Sequence, residues 1–551
     1  MAQYREDNAS REDLRTLVLI CTKLERLGNG LDLDEIHRWL QLMVPSVDVR
    51  TVPQLCERPG RAVETVATNG AVRVVLGLCS QDYSEIELHS HVRMIGLDPF
   101  GVEVVNLGAH CALVHPRSQA TEKAKLLLEA AVARARAFFG GDGESVKPVF
   151  SLNQTVSRRA LFTLPPLHYE PVVSIRRVDC AFDEGCRVCA TTCPHEALEP
   201  SEDTLIGLDK SRCTACGACV SACPQIAIDL PGASSDQIGT QVAALLENES
   251  IDVDARAILF VCKRGVSTLS RLAENGFSYP AGWLPVEVPC VGIITPAWLL
   301  QCLSQGAAAV GVLPCGLEDC RFGHTEITKG KMAYCREFLG LIGANPDAIR
   351  LLDPCDEAEL ARTLSYLPRQ ERKPRGDGFG DVSLFGLRAT ARSLLGLAEQ
   401  FASPVDSSLA HPFSPLGVVT LETGCTICEA CTRACPTEAL GVQRDSEGVA
   451  LNFDPGLCIG CEACVPVCPE RVVRVGKVTD LSRLAQERVT LHRGSEVLCE
   501  KCGGPVAPDD MIKKITALLG SNPTVSTITR FCLSCRGVTL SGQEYGEKNL
   551  E

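Results

Sequence analysis

The chain has 551 residues and 45% hydrophobic content, which predicts several packed domains and argues against disorder. A net charge of −14 and only 5% aromatic residues argue against a nucleic-acid partner, which needs a positive surface and stacking side chains. The polar stretch Met1–Ser10 and the lack of any run of 18 apolar residues predict no signal peptide, no membrane span and a cytoplasmic location. Thiols stay reduced in that compartment, so the 31 cysteines are interpreted mainly as metal ligands.

The first segment, residues 1–145, alternates short apolar runs with helical patterns, which predicts a parallel sheet covered by helices. The predicted strands are Thr16–Cys21, Val47–Val52, Val72–Cys79 and Val102–Leu107, and the predicted helices are Leu33–Met43, Gly60–Thr68, Ile86–Ile95 and Thr121–Phe139. A cysteine lies at or after the carboxyl end of each strand: Cys21, Cys56, Cys79 and Cys111. Ligands bind at this edge of an open parallel sheet, so the four thiolates would make a metal or cluster site. Ordinary core cysteines are the alternative that spacing alone leaves open.

The second segment, residues 170–231, contains two cysteine runs that each end in Cys-Pro. The later run has the spacing C-x2-C-x2-C-x3-C-P and comprises Cys213, Cys216, Cys219 and Cys223. The earlier run has a longer first gap and comprises Cys180, Cys186, Cys189 and Cys193. In such pairs three cysteines of one run bind one 4Fe–4S cluster, and the fourth binds the cluster of the other run. We therefore expect one cluster on Cys180, Cys186, Cys189 and Cys223, and another on Cys213, Cys216, Cys219 and Cys193.

The third segment, residues 255–366, returns to the alternation of strands and helices and predicts a second parallel sheet. The predicted strands are Ala257–Val261, Val286–Pro289, Ala309–Leu313 and Ile349–Leu352. Cys302 and Cys335 fall inside helical patterns and are interpreted as core thiols.

The fourth segment, residues 414–476, repeats the paired runs with regular spacing in both. One cluster is expected on Cys425, Cys428, Cys431 and Cys468, and the other on Cys458, Cys461, Cys464 and Cys435. Both segments resemble bacterial two-cluster ferredoxins, so the chain is expected to hold four 4Fe–4S clusters.

The fifth segment, residues 495–540, contains two C-x2-C pairs, Cys499 with Cys502 and Cys532 with Cys535. Two such pairs make a tetrahedral site of four sulfur atoms, which suits structural zinc. The long gap between the pairs leaves another iron–sulfur cluster, a redox pair or free thiols as alternatives.

Several stretches of the first segment resemble the N-terminal domain of the heterodisulfide reductase A-type subunits. They are Gly77–Cys79, Met94–Pro99, Asn106–Cys111 and Ala120–Lys125. The resemblance implies an iron–sulfur cluster, and Cys21, Cys56, Cys79 and Cys111 match cysteine positions of that family. That family continues into a flavin-binding domain with a Gly-rich fingerprint after a strand. Here the nearest candidate, Gly376 with Gly378 and Gly380, lies in a charged linker.

The third segment resembles the delta subunit of methyl-viologen-reducing hydrogenases in Phe260–Cys262, Val288–Gly292 and Gly306–Cys320. The resemblance implies a 2Fe–2S cluster that passes electrons between a hydrogenase or dehydrogenase and heterodisulfide reductase. The matching positions are Cys262, Cys290, Cys315 and Cys320. Gly265 stands where that family has another cysteine, and Cys355 is a candidate replacement.

The predicted fold class is α/β plus α+β. Two parallel-sheet α/β domains are interleaved with two ferredoxin-like modules, and a small ribbon-like four-cysteine module follows. The predicted function is that of an iron–sulfur electron-transfer subunit in a larger oxidoreductase complex. Its expected partners are subunits of hydrogenase, dehydrogenase or heterodisulfide-reductase-like type, flavin-containing ones included. One alternative is an enzyme that reduces a disulfide at a cysteine-lined cluster, with Cys320 or Cys355 as a reactive thiol. The other is a scaffold or redox sensor, which the acidic charge disfavours.

Overall fold

The structure is a computed structural model, and it describes residues 14–66, 73–138, 146–149, 168–182, 186–201, 205–225, 227–248, 250–251, 253, 255–316, 325–367, 386–401, 407–520 and 523–537. The chain divides into two compact units, Met1–Cys180 with Val188–Ser403, and Ala181–Arg187 with Pro404–Glu551. Within the described ranges, no helix is both long enough and apolar enough to cross a bilayer.

The first unit opens with a four-stranded sheet covered by helices. Its strands are β1 (Thr16–Cys21), β2 (Val47–Val52), β3 (Arg73–Leu78) and β4 (Val102–Asn106). Its helices are α1 (Leu33–Met43), α2 (Pro59–Val66), α3 (Glu85–Met94) and α4 (Arg117–Arg136). The strands lie in the order β2-β1-β3-β4, and every neighbouring pair is parallel, which confirms the predicted parallel sheet. Every residue of β1 is buried, as expected for a strand covered on both faces.

The next part of the first unit consists of short elements around the first pair of cysteine runs. The strands are β5 (Val146–Val149), β6 (His168–Pro171), β7 (Ser174–Ile175), β8 (Leu198–Ser201), β9 (Leu205–Leu208) and β10 (Ile228–Asp229). The helices are α5 (Val188–Thr192), α6 (Ala218–Ala222) and α7 (Ser235–Glu247). The antiparallel pair β7–β10 brackets both runs, and the antiparallel hairpin β8–β9 separates them.

A second parallel sheet completes the first unit. Its strands are β11 (Ala257–Cys262), β12 (Trp283–Val288), β13 (Val310–Leu313) and β14 (Ile349–Leu351). Its helices are α8 (Lys263–Glu274), α9 (Pro296–Ser304), α10 (Thr325–Leu341) and α11 (Glu357–Ser365), and α12 (Leu387–Gln400) follows. The order β12-β11-β13-β14 is the order of the first sheet, with the first strand between the second and third. The predicted parallel sheet is confirmed here as well.

The two parallel-sheet domains pack against each other at a π-helical turn, Gly108–Ala112, that follows β4. Ala109 belongs to the same apolar cluster as the strands and helices of the second sheet. The Asn106 amide donates to Ser270 Oγ at 3.2 Å, and Ser278 Oγ donates to the Val114 carbonyl at 2.5 Å. The turn that carries Cys111 is therefore held between the two sheet domains.

The second unit contains the second pair of cysteine runs and the C-terminal cysteine pairs. Its strands are β15 (Ser408–Ala410), β16 (Val418–Leu421), β17 (Leu440–Asp445), β18 (Gly448–Phe453), β19 (Val473–Gly476), β20 (Val478–Asp480), β21 (Val489–Gly494), β22 (Glu496–Leu498) and β23 (Pro505–Pro508). Its helices are α13 (Ala430–Arg433), α14 (Leu481–Leu484), α15 (Asp509–Leu519) and α16 (Pro523–Arg530). The antiparallel pair β16–β19 brackets the runs, and β17 and β18 form the hairpin between them. The arrangement repeats that of the first pair of runs.

Candidate metal centres

The second ferredoxin-like module contains two small cavities, each lined by four cysteines. The first is lined by Cys425, Cys428 and Cys431 of one run and by Cys468 of the other. Leu451 and Val473 supply part of its apolar wall. The structure thus brings together the four cysteines that the sequence assigns to one cluster.

The second cavity of this module has the reciprocal composition. Cys458, Cys461 and Cys464 line it together with Cys435 of the other run. A thiolate from each run therefore crosses to its neighbour's cavity. This donor set is the one that bacterial two-cluster ferredoxins use for 4Fe–4S clusters, so the residues present fit that cofactor.

The first module contains a cavity of the same kind. It is lined by Cys213, Cys216 and Cys219 and by Cys193 of the preceding run. The remaining predicted set is divided between the two units, with Cys180, Cys189 and Cys223 in the first and Cys186 in the second. Residues 183–185 lie outside the described ranges, so the grouping of these four stays a prediction.

The cysteine loops share an uncommon backbone conformation. In each regular run, the residues two and four positions after the first cysteine have positive φ. These residues are Ala215 and Gly217, Ile427 and Glu429, and Gly460 and Glu462. Non-glycine residues rarely adopt this region, and such strain concentrates at functional sites. The repeated backbone turns let three closely spaced cysteines line one cavity.

Backbone N–H groups donate to several of the thiol sulfur atoms. The Ala197 and Ala227 amides donate to Cys193 Sγ and Cys223 Sγ, both at 3.3 Å. Burial raises the pKa of Cys458 to about 12, and the amide of Gly460 opposes that shift by donating to the thiol. Hydrogen bonds of this kind stabilise the thiolate form that binds iron and tune the potential of a bound cluster.

At the edge of the first sheet, three cysteines from three adjacent strands meet. Cys21, Cys56 and Cys79 have all their sulfur atoms within 4.8 Å of one another. The Sγ–Sγ distances are 3.9 Å for Cys21–Cys56, 3.8 Å for Cys21–Cys79 and 2.8 Å for Cys56–Cys79. The hydrogen bond between Cys21 and Cys79 lowers the pKa of the Cys21 thiol to about 5. This is a three-thiol donor set for a metal or cluster.

The fourth predicted cysteine of this domain, Cys111, is not a member of that group of three. It is fully buried, and burial raises its pKa to about 12. Its surroundings include Lys123, whose Nζ lies 3.2 Å from His115 Nε2 and 4.6 Å from the ring centre of Tyr279. The role of Cys111 as a fourth ligand stays a prediction.

In the second sheet domain, cysteines again follow the strands at the carboxyl edge. Cys262 ends β11 and is buried, Cys290 follows β12 and is buried, and Cys315 follows β13 and is partly buried. Within the residues that the structure describes, the sulfur atoms of these three do not all lie within 4.8 Å of one another. Cys320 lies outside the described residues, as does the Gly376–Gly380 stretch. The ligand set of this domain therefore stays a prediction.

Gly265 and Cys355 have distinct surroundings in this domain. A Cβ at Gly265 would lie 3.0 Å from Val261 Cγ1 and 3.1 Å from the Leu313 carbonyl oxygen, so close packing accounts for a residue without a side chain. Cys355 follows β14 and is exposed. Cys302 and Cys335, interpreted as core thiols, are both 0% exposed.

The C-terminal pairs form the most complete cysteine group outside the ferredoxin-like modules. Cys499, Cys502, Cys532 and Cys535 have all four sulfur atoms within 4.8 Å of one another. A hydrogen bond from the Cys532 backbone lowers the pKa of Cys499 to about 6. Four converging thiols of this kind fit a tetrahedral metal such as zinc.

Three lysines contact the cysteine loops, and the sequence alone does not predict these contacts. Lys147 Nζ donates to the Cys213 carbonyl at 2.6 Å, and Lys477 Nζ donates to the Ile459 carbonyl at 2.6 Å. Lys331 Nζ donates to two carbonyls of the turn after Cys290. No spacing motif links these lysines to the loops they contact, because each comes from a different element of the fold.

Comparison with known protein families assigns three segments of the chain. Residues 257–365 match the family of methyl-viologen-reducing hydrogenase delta subunits. Residues 183–228 and 424–472 each match a 4Fe–4S dicluster domain. These matches confirm the resemblance of the third segment to the hydrogenase delta subunit and the presence of two two-cluster ferredoxin domains.

The chain is also similar to curated proteins of methanogens. It is 24% identical over 276 residues to the first iron–sulfur A-type subunit of the CoB–CoM heterodisulfide reductase of Methanopyrus kandleri, covering 42% of this chain and 41% of that protein. It is 33% identical over 297 residues to the A-type subunit of the H2:CoB–CoM heterodisulfide,ferredoxin reductase of Methanothermobacter thermautotrophicus, covering 45% and 43%. The predicted resemblance to the heterodisulfide reductase A-type subunits is confirmed. The chain spans about two fifths of the length of these relatives.

Proposed function

We propose that this chain is a multi-cluster electron-transfer subunit of a heterodisulfide-reductase-like or hydrogenase- or dehydrogenase-linked complex. The observation that carries the proposal is the set of three cavities, each lined by three cysteines of one run and one cysteine of the other. The two dicluster matches and the similarity to the heterodisulfide reductase A-type subunits support it. The partners are subunits of such complexes, including flavin-containing ones, and the location is cytoplasmic.

The residues of the chain account for the properties that such a relay needs. Four-iron clusters, when bound, accept and donate one electron at a time. The cysteine loops supply the thiolates, and the amides of residues such as Ala197 and Gly460 donate hydrogen bonds to the sulfur atoms. Apolar side chains such as Leu451 and Val473 exclude water from the cavity they line. No bond-breaking residue is needed for single-electron transfer.

Further centres extend the proposed relay. We assign a 2Fe–2S cluster to residues 255–366 on Cys262, Cys290, Cys315 and Cys320, in accordance with the match to the hydrogenase delta subunit. We assign an iron–sulfur cluster to residues 1–145, where the grouping of Cys21, Cys56 and Cys79 supports it. Structural zinc is assigned to Cys499, Cys502, Cys532 and Cys535, since four converging thiols suit that metal.

The first test is metal content after anaerobic purification of the full chain. We expect about 16 irons from the four ferredoxin-type clusters, and about 22 with the two further iron–sulfur centres. Electron paramagnetic resonance (EPR) of the reduced chain should then show signals in addition to those of the ferredoxin type. An iron content far below 16 would contradict the proposal.

The second test separates a relay from an enzyme. The reduced chain should pass electrons rapidly to a dye acceptor and should not turn over a disulfide substrate with an artificial donor. Sustained disulfide reduction by the isolated chain would instead favour the alternative of catalysis at a cysteine-lined cluster.

A further inference from the structure

One loop of the first ferredoxin-like module lies against a turn of the second sheet domain. Gly217 follows Cys216 and has a φ of 75°. A Cβ at this position would lie only 2.8 Å from Ile293 Cβ. Ile293 closes the helical turn Val291–Ile293 that directly follows Cys290. Glycine at 217 therefore permits a close approach between the Cys216 loop and the Cys290 turn.

The Cys290 turn is also held by Lys331 of helix α10. Lys331 Nζ donates to the Gly292 carbonyl at 3.0 Å and to the Ile294 carbonyl at 2.7 Å. The Gly292 amide in turn donates to Cys290 Sγ at 3.4 Å. One ammonium group thus fixes the turn that separates two candidate cluster sites.

The charge of Lys331 acts on both sites. Burial lowers the pKa of Lys331 to about 8, and its attraction to the thiolates of Cys290 and Cys216 opposes that shift. Its neighbour on the same helix face, Cys335, is a fully buried thiol. Lys331 can interact with both Cys290 and Cys216 because Gly217 lets the two loops approach closely.

We propose that Lys331 is a positioning residue that raises the reduction potential of the 4Fe–4S cluster bound by Cys193, Cys213, Cys216 and Cys219. The inference rests on the proposed function and adds the partner residue that tunes this cluster. Reduction adds one negative charge to the cluster and its thiolates. A fixed cation in a partly buried setting stabilises the reduced form more than the oxidised form. The Cys290 turn places that cation where the third segment adjoins the ferredoxin-like module.

The test is a redox titration of the full chain, reconstituted anaerobically and followed by EPR. The signal to follow is the one that is lost in Cys216→Ser. In Lys331→Gln, which keeps a hydrogen-bond donor and removes the charge, we expect the equilibrium constant for one-electron reduction to fall about tenfold, which equals about 59 mV. Lys331→Arg keeps the charge and should titrate within about threefold of wild type.

Lys329 supplies a matched control on the same helix. Its side chain is 45% exposed and pairs with Glu326 at 2.7 Å, so Lys329→Gln removes an equal charge where solvent screens it. This variant should leave the potential unchanged. A shift in Lys329→Gln equal to that in Lys331→Gln would overturn the inference.

The outcomes separate this inference from the proposed function. An unchanged potential in iron-replete Lys331→Gln would overturn the inference and leave the relay intact. Lys331→Met is a second neutral variant that fills the same space, and either neutral variant that retains iron decides the question. Loss of iron from both, with full iron in Lys331→Arg, would overturn potential tuning in favour of a structural role. Failure of the proposed function would appear in the wild-type chain as missing iron.

Discussion

Glu500 and Arg530 join the two C-terminal cysteine pairs by a two-pronged ion pair. Arg530 Nε and Nη2 donate to the two carboxylate oxygens of Glu500, each at 2.5 Å, and the Glu500 amide donates to the Arg530 carbonyl at 3.2 Å. Glu500 lies between Cys499 and Cys502, and Arg530 lies two residues before Cys532. The pair therefore holds the two halves of the four-cysteine group together.

Arg530→Gln should weaken zinc binding at this site by about fivefold or less. The ion pair is about half exposed on both sides, so solvent screens it and its removal should have only a small effect. Competition with a chromophoric chelator measures the change. Arg474→Gln, which breaks a comparably exposed pair with Glu422, should leave zinc affinity unchanged. A hundredfold loss in Arg530→Gln would show that the pair does more than orient the loops.

Cys428→Ser and Cys468→Ser should abolish the same EPR signal, although the two cysteines belong to different runs. Both residues line one cavity, whereas Cys464 lines the other. Cys464→Ser should therefore abolish a different signal, and the double variant Cys428→Ser/Cys468→Ser should lose no more iron than either single variant. Loss of different signals in Cys428→Ser and Cys468→Ser would refute the crossed ligand assignment.

Gly417→Ala should destabilise the second ferredoxin-like module by about 1–3 kcal/mol and lower its iron content. A Cβ at Gly417 would lie 2.5 Å from Gly460 Cα and 3.2 Å from Cys458 Sγ, so the Cys458 loop would have to move. Gly441→Ala is the matched control, because a Cβ there meets nothing within 4 Å. Iron analysis and thermal unfolding of both variants measure the effect, and equal behaviour would contradict the packing argument.

Cys79→Ser should remove the metal centre of the first sheet domain while leaving the ferredoxin-type signals. Its sulfur lies 2.8 Å from Cys56 Sγ and 3.8 Å from Cys21 Sγ. Cys302→Ser changes a fully buried thiol on helix α9, outside the group of three, and should keep the full iron content. Iron per chain, compared between the two variants, checks the assignment. Unchanged iron in Cys79→Ser would mean that the three thiols bind no iron.

The free energy of unfolding of the first unit should fall as the pH rises from about 4.5 to about 7, because of Glu103. Burial raises the pKa of Glu103 to about 7, against the attraction of Arg134, whose Nε lies 3.1 Å away. The folded state therefore holds a proton that the unfolded state has lost across this window, and stability falls by up to about 3 kcal/mol. Glu103→Gln should reduce the drop in unfolding temperature between pH 5 and pH 8. The exposed Glu326→Gln should not, and an equal drop in both variants would refute this role.

The sequence predicts the buried strands and the cysteine-lined cavities well, because uniform apolar runs and regular cysteine spacing are strong local patterns. Strand β1 was predicted with its observed bounds, because a run that is buried on both faces is uniformly apolar. The cysteine spacing predicted which four cysteines line each of three cavities, since a tight loop can place only three thiols around one cube. Helix α4 was predicted to begin at Thr121 but begins at Arg117, because its first residues are polar and exposed and so carry no apolar periodicity.

Other features depended on contacts that no local pattern encodes. The carbonyls that Lys331 binds belong to a turn after a different strand, so sequence spacing gives no sign of the contact. Arg134 is buried because it reaches Gln241 and the Glu287 carbonyl, both at 2.9 Å and both far away in the chain. Cys111 follows the carboxyl end of a strand, as the other three cysteines do. The π-helical turn nevertheless places it between the sheet domains and outside the group of three thiols.

The crossed cysteines also affect how the chain behaves as a polymer. A cluster bound in each cavity would link Cys435 or Cys468 to the opposite run, so two bound clusters would close overlapping rings in the same stretch of chain. Ring closure of this kind stabilises a fold by restricting the unfolded chain. Oxygen damage to either cluster would open a ring as well as remove an electron carrier. Susceptibility to proteases should therefore rise as the absorbance of the clusters is lost. Degradation would then remove chains that can no longer transfer electrons.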